Sequence, residues 1–437
     1  MKHEDMLEKV LTTLDTFRPG DLEGNAARIL EIAKACAQAG GKTLVLRDDA
    51  LRGGDCGSLN DHPAFAAMID AAQAKLEKKL VKLRTKVTFT RPAAPRWVAA
   101  GPDPRLPFCG RPAEVFARQV AALAKRLSVI GCRHVAIGIS GGLDSALTLL
   151  VAVAAFDRLG LDRAGVHVYT MPGFGTTKRT RGNADLLCEG LGLKLETIDI
   201  TPACRQHFKD IGQPAGVHDV TFENTQARER TQILMDKANQ LGGIVLGTGD
   251  MSEIALGWCT YNGDHMSMFG VNAGVPKTAV RDVCRWWAED VEWLKGSKVE
   301  RSGRGKSARS VPELKAAKAL LDIIATPVSP ELLPAKNGEI AQKTEDRIGP
   351  YELHDYFLWH FINDGEGRDA ILKSAKKAFK GQYDAATVKK WLDVFFRRLF
   401  SQAFKRNCAP DGVQVFPVYL SPAAWHVPSD ISGSAFV

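Results

Sequence analysis

From residue 112 to residue 246 the chain alternates between stretches with helical periodicity and short apolar runs. Helical patterns are expected over 112–130, 143–158, 178–192 and within 223–242. Strand patterns are expected over 134–139, 166–170, 194–199 and 244–246. Strands that return through helices are parallel, and their helices must cover both faces of the sheet. The alternation therefore predicts an α/β fold, a doubly wound parallel sheet of Rossmann-like type. Such sheets bind ligands beyond the carboxyl ends of their strands, so residues near 140 and 247 are the first places to look for chemistry.

Outside this region the signals are weaker. A helix is expected over 21–40, opened by Asp21, and a short strand over 43–46. The residues 66–86 read as a charged helix carrying Lys75, Lys78, Lys79, Lys82, Arg84 and Lys86. Six prolines between 91 and 112 mark a linker or an irregular wrap. The expected organisation is a small α/β segment over 1–90, a linker over 91–111 and a larger domain over 112–437. A helical C-terminal part is expected over about 350–405. The Gly/Ser-rich basic stretch 296–311 has the composition of a mobile loop, either a lid or plain disorder.

Composition excludes several classes. The chain has 437 residues, 45% of them hydrophobic and 25% charged, ordinary values for a globular protein. No run of eighteen apolar residues occurs and the N-terminus has no apolar leader core, so no membrane association is expected and a cytoplasmic location is. Nine cysteines lie scattered with no Cys-x-x-Cys pair, which argues against a structural zinc site and for reduced thiols. The formal charge of +8 suits an anionic small substrate.

The strand ending at Ile139 runs straight into Ser140-Gly141-Gly142-Leu143-Asp144-Ser145 and then a helix. Two glycines let the backbone turn tightly and come close to an anion. The helix start offers free N–H groups and the positive end of its dipole, and Ser140 and Ser145 add hydroxyls. Asp144 is out of place beside a phosphate unless a cation lies between them, which makes it a candidate Mg²⁺ ligand. The plainer alternative is a capped strand-to-helix turn.

This string resembles the pyrophosphate loop of the N-type ATP pyrophosphatases, which cleave ATP between its α- and β-phosphates. A second, longer segment resembles the NAD synthetases, particularly their glutamine-dependent branch. It covers 244–281, including Gly247-Thr248-Gly249-Asp250-Met251-Ser252-Glu253 and Asn272-Ala273-Gly274-Val275-Pro276-Lys277, with further likeness over 219–230, at 171–174 and at Phe404-Lys405-Arg406. The resemblance implies that Glu253 is a second Mg²⁺ ligand beside Asp144. It implies that Thr248 lies at the ATP site, that Lys277 reaches the phosphates and that Ser329 contacts a phosphate. It further implies that Asn224, Arg228 and Arg230 hold a dinucleotide, and that Asp264 lies near the nicotinate and the incoming ammonia. Read singly, Thr248 and Glu253 could cap and face solvent on a helix opening at 250, Lys277 could lie on the surface, and Arg228 and Arg230 could form helix salt bridges. His218 and His265 are expected to be structural.

The implied reaction is ATP-dependent amidation of deamido-NAD⁺ to NAD⁺ through an adenylate, with Mg²⁺ as cofactor and ATP as co-substrate. A homodimer or higher homo-oligomer is expected, with no nucleic-acid partner. The first residues resemble only the start of the nitrilase-like glutaminase domain of that branch, through Gly20-Asp21-Leu22-Glu23-Gly24-Asn25. Asp48 stands where the resemblance calls for a catalytic Glu. Cys56, Cys109 and Cys132 lack a nucleophile's surroundings, so free ammonia is the expected nitrogen source. The C-terminal Leu420-Ser421-Pro422-Ala423-Ala424-Trp425 lacks two arginines usual in the family. That departure keeps one alternative, an amide ligase for another carboxylate; a second, a catalytically weak nucleotide-binding partner of a full synthetase, is opposed by the intact Asp144, Glu253 and Lys277.

Overall fold

The computed structural model describes residues 22–38, 43–47, 63–81, 86–90, 97–176, 178–289, 311–326, 332–333, 344–425 and 427–431. Ser329, Asp48, Cys56 and the stretch 296–310 lie outside the described residues. The chain divides into two compact units, Met1–Arg96 with Ala124–Gly131 and Trp97–Leu123 with Cys132–Val437.

The first unit contains α1 (Leu22–Gln38), β1 (Thr43–Arg47), α2 (Pro63–Leu80) and β2 (Lys86–Thr90). Leu22, Asn25, Ile29, Ile32 and Ala33 of α1 are buried at the three- and four-residue spacing of one helix face. β1 and β2 pair in parallel, Thr43 opposite Lys86 and Arg47 opposite Thr90, with α2 as the crossover. The charged helix expected to reach residue 86 ends at Leu80 instead. Lys86-Val87-Thr88-Phe89-Thr90 alternates β-branched and aromatic residues, a strand pattern that the preceding lysine run obscured.

α3 (Pro112–Ile130), which is divided between the two units at Leu123, precedes β3 (Val135–Gly138), α4 (Leu143–Leu159), β4 (Val166–Thr170), α5 (Lys178–Gly190) and β5 (Leu195–Thr197) of the second unit. There follow α6 (Thr201–Asp210), α7 (Val220–Leu241), β6 (Ile244–Gly247), α8 (Met251–Leu256), β7 (Phe269–Gly270) and α9 (Lys277–Glu289). The five strands stand in the order β5-β4-β3-β6-β7, all parallel. This is the doubly wound sheet the alternation predicts. Winding runs outward one way from β3 to β5 and the other way from β6 to β7, so the topological switch lies between β3 and β6. α4 is buried along nearly its whole length, which its almost uninterrupted apolar sequence requires. α6 and β7 carry no signal strong enough to be expected: α6 has Pro202 in its first turn and β7 has two residues.

The C-terminal part is helical: α10 (Val311–Ala325), α11 (Thr344–Ile348), α12 (Tyr351–Ile362), α13 (Arg368–Ala378), α14 (Ala385–Ser401) and α15 (Ala403–Arg406). Phe357 of α12 packs edge-on against Phe395 of α14 with centroids 5.8 Å apart. The stretch 97–111 has no regular structure but is fixed. Its Phe108 is buried between Trp359 and Phe416, each 5.0 Å away, and the Val98 amide donates to the Val415 carbonyl. No helix of the described residues is long and apolar enough to cross a membrane.

Candidate active site

At the end of β3 the chain must turn from strand to helix within four residues. Gly141 takes a left-handed φ of 79°, and a Cβ there would lie 2.0 Å from the Thr180 carbonyl oxygen. Only glycine meets both conditions. The Gly142 amide donates to Ser140 Oγ, and Ser145 Oγ donates to the Gly142 carbonyl, each at 3.1 Å. No side chain caps α4, whose N-cap is Gly142. Its first amides therefore face the cleft, the arrangement that favours an anion.

At the end of β6, Thr248 and Gly249 lead into α8. Asp250 is its N-cap and accepts from the Glu253 amide at 2.8 Å. The cap thus belongs to Asp250, and the Glu253 side chain is released toward the cleft. Asn272, wholly buried, joins the two loops: its Nδ2 lies 3.0 Å from both the Asp144 and the Thr248 carbonyl oxygens. Gln119 of α3 fixes that amide by donating to Asn272 Oδ1 at 2.9 Å.

Lys277, the first residue of α9, is not on the surface. Its side chain is 1% exposed, and Nζ lies 2.6 Å from Asp144 Oδ2, 2.7 Å from Asp250 Oδ2 and 2.9 Å from Glu253 Oε1. The Tyr351 ring lies 5.2 Å from the ammonium. Burial pushes Glu253 up to about 7 and Asp250 well above the carboxylate range, in spite of the ammonium. Burial works against a charged Lys277, but Asp144, Asp250 and Glu253 together hold it well above an ordinary lysine. Three carboxylates and one ammonium leave the cluster formally at −2. One oxygen from each carboxylate lies within 4.8 Å of the others. Asp144 Oδ1 and Tyr351 Oη are buried without a hydrogen-bond partner. An all-oxygen set with spare acceptors and surplus negative charge fits a hard divalent cation.

A cleft of about 700 Å³ opens over both strand ends, the size of a small-molecule site. It is lined by Ser140, Gly141, Gly142, Asp144, Ser145, Thr248 and Glu253, and by Asn224, Arg230 and Asp264. Thus nearly every residue singled out in the sequence converges there, with Lys277 just beneath. Arg228 stands apart from the lining; it is exposed and its Nε donates to the Tyr261 carbonyl. Arg230 donates to the Met171 carbonyl at 3.0 Å. Neither bond is the helix salt bridge that their positions allow. Asn224 Oδ1 accepts from Thr260 Oγ1 at 2.8 Å, and Asp264 Oδ1 accepts from the Thr260 amide at 2.8 Å. Asp264 opens to the solvent of the cleft, with protein close on its other sides. That crowding raises its carboxyl, an effect its exposure moderates.

Sequence reasoning missed Asp250, Asn272 and Tyr351 as site residues. Asp250 reads as a helix cap, which it also is. Asn272 sits in a glycine-rich string that marks a tight loop and nothing more. The far end of α8 was missed as well: Arg398 donates to the Leu256 carbonyl, Lys405 to those of Gly257 and Cys259, and Arg406 to that of Ala255. His265 meets the Lys405 carbonyl through Nε2 at 2.7 Å, and His218 packs its ring on Phe222.

Residues 115–295 match the family model described as NAD synthase. Over 344 residues the chain is 38% identical to the glutamine-dependent NAD(+) synthetase of Mycobacterium tuberculosis (strain ATCC 25618 / H37Rv), covering 73% of this chain and 48% of that protein. It is 32% identical over 311 residues to the glutamine-dependent NAD(+) synthetase of Thermotoga maritima, covering 71% and 46%. The chain thus spans about half the length of the curated relatives it matches. Among solved structures, a glutamine-dependent NAD(+) synthetase from Cytophaga hutchinsonii superposes with a TM-score of 0.71 at 13% identity, over 95% of this chain and 96% of that one. The enzyme of that name from Acinetobacter baumannii, in complex with ADP, gives 0.51 at 17% identity, over 95% and 97%. At such identities the likeness concerns the fold alone.

Proposed function

We propose, from the premise that residues 115–295 form a domain of the NAD synthase family, that this chain amidates deamido-NAD⁺ to NAD⁺ at the expense of ATP. The observation that carries the reading is the meeting of the Ser140–Ser145 loop with the Asp144, Asp250, Glu253 and Lys277 cluster at the switch between β3 and β6.

A carboxylate does not accept ammonia, because its leaving group would be oxide. In the proposed first step a nicotinate carboxylate oxygen attacks the α-phosphorus of ATP and the bond to pyrophosphate breaks. The free amides of α4 and the Ser140 hydroxyl are assigned to the charge that collects on the departing group, with Ser145 shaping the loop through its bond to the Gly142 carbonyl. Lys277 supplies a positive charge beside it. Asp144, Asp250 and Glu253 would hold Mg²⁺, which when bound neutralises part of that charge. Thr248, with Ser329 on a segment outside the described residues, is assigned to the phosphates. Asn224, Arg228 and Arg230 are assigned to the dinucleotide.

In the second step ammonia attacks the acyl carbon and AMP departs. Asp264 is assigned to the ammonia: its carboxyl binds ammonium or takes the proton released as the C–N bond forms. We assign ammonia taken as such to this step. Support comes from Asp48 in place of a catalytic Glu and from the absence of a nucleophile's surroundings at Cys56, Cys109 and Cys132.

The test is to incubate the protein with ATP, deamido-NAD⁺ and either ammonium or glutamine, with and without Mg²⁺, and to quantify AMP and NAD⁺. Equal amounts of both products, with ammonium and Mg²⁺ only, is the expected result. NAD⁺ formed from glutamine alone overturns the ammonia assignment. AMP formed with some other carboxylate but never with deamido-NAD⁺ overturns the substrate.

A further inference from the structure

Lys277 can sit among three carboxylates only if the start of α9 is held in one place. The first amides of a helix have no acceptor within the helix. Here they are taken by two side chains from elsewhere in the fold. The Lys277 amide donates to Ser252 Oγ at 2.8 Å. Ser252 Oγ in turn donates to Asp355 Oδ1 at 2.5 Å. The other oxygen of that carboxylate, Oδ2, accepts from the Thr278 amide at 3.0 Å and from Thr278 Oγ1 at 2.7 Å. Asp355 belongs to α12, is 1% exposed, and is not among the residues that line the cleft.

We infer that Asp355 is a positioning residue for the proposed reaction: it fixes the start of α9, and with it the Lys277 ammonium, against the Asp144–Asp250–Glu253 cluster. The polarity of the network carries the argument. Both Asp355 oxygens face donors only, so the group must accept on both sides. Its acceptance of the Ser252 proton turns a serine lone pair toward the Lys277 amide. Ser252 also precedes Glu253 in α8, so the same bond ties the two helices that present Lys277 and Glu253. A neutral residue of the same shape cannot do this. An asparagine offers one acceptor and one amino group, and whichever way it turns, the Thr278 amide or the Ser252 hydroxyl loses its acceptor. The surrounding burial makes that loss costly.

The inference rests on the proposed function for its meaning but not for its test. Hydrogen exchange of the Lys277 and Thr278 amides, measured in the protein without substrates, reports the network directly, since no helical bond protects those two positions. Asp355→Asn is expected to speed exchange there at least about 10-fold and to leave the amides of α4 unchanged. In the AMP-forming assay it is expected to lower kcat about 10- to 100-fold with each KM within about 3-fold. Ser252→Ala, which cuts the link to Lys277 alone, is expected to reproduce the kcat loss and the faster exchange at Lys277. Val388→Ala, a buried change in α14, serves as the stability control: a lower melting temperature, with kcat per folded molecule and both amides as in the wild type. Unchanged exchange in Asp355→Asn overturns the inference, as does an unchanged kcat or an equal kcat loss in Val388→Ala. Should the wild-type protein form no AMP, the proposed function fails, and the exchange result alone decides whether Asp355 positions Lys277.

Discussion

Replacing Lys277 by methionine removes one charge from a cluster of four and nearly preserves volume. At separations of 2.6, 2.7 and 2.9 Å and an effective dielectric near 20, each ion pair is worth about 6 kcal/mol. Against this stands repulsion among carboxylates whose oxygens lie within 4.8 Å of one another, at least about 3 kcal/mol for each pair. Desolvation of four buried charges takes most of what is left. The expected net cost is that of breaking a buried ion pair, about 3–5 kcal/mol. For a domain of several hundred residues, with an unfolding entropy of about 2.1 cal/mol/K per residue, this lowers the melting temperature by about 4–8 °C. The cost must depend on pH. Without the ammonium, Asp250 and Glu253, already raised, hold their protons more tightly still. A carboxyl whose pKa is raised by folding stabilises at low pH and loses that contribution as pH rises through the folded value. Lys277→Met is therefore expected to melt well below the wild type at pH 8 and close to it at pH 5.5. Scanning calorimetry across that range, with chelator present, is the assay. A variant that melts within 1 °C of the wild type at pH 8, or a deficit that does not change with pH, refutes the electrostatic account of the cluster.

Two further outcomes follow from single positions. Gly141→Ala forces a Cβ to within 2.0 Å of a backbone oxygen at a left-handed φ; it is expected to weaken ATP binding at least about 10-fold by calorimetric titration while most of the sheet remains folded. His354 is buried, donates through Nε2 to the Ile348 carbonyl, and is driven down to about 4 by burial. Its neutral form is therefore favoured in the fold, so the contribution it makes above about pH 6.5 is lost as pH falls toward 4, by about 3 kcal/mol. His354→Phe is expected to flatten the stability–pH curve by that amount in urea titrations, and an unchanged slope refutes the assignment.

The parallel sheet and its central loop were legible because each depends on short-range signals. The apolar runs at β3, β4 and β6 and the glycine pair before α4 state their conformations locally. β2 was lost in a lysine run whose helical reading was equally local and happened to end at Leu80. The site was legible as a set of residues but not as a geometry. Nothing near Asp250 says that a helix cap also faces an ammonium donated by a residue twenty-seven positions on. Nothing near Asp355 says that it holds one amide directly, and a second through Ser252, at the start of a helix some eighty residues earlier. Such pairings exist only once α8, α9 and α12 have packed, and no periodicity encodes them.

The short helix α8 carries a consequence for what counts as a working piece of this protein. Six residues are too few for a helix to persist by itself, and α8 is pinned by Asp250 at one end and by Arg398, Lys405 and Arg406 at the other. The stretch recognisable by family, 115–295, contains the first pin and none of the others. Trimmed to that stretch, the chain would keep the Ser140–Ser145 loop, Thr248 and Glu253, but it would lose Thr326, Leu332 and Gln402 from the cleft lining and lack the parts that hold Glu253 in place. The smallest body that holds this site together is therefore larger than the recognisable one, and any transplant of the site into another scaffold has to carry the C-terminal helices with it.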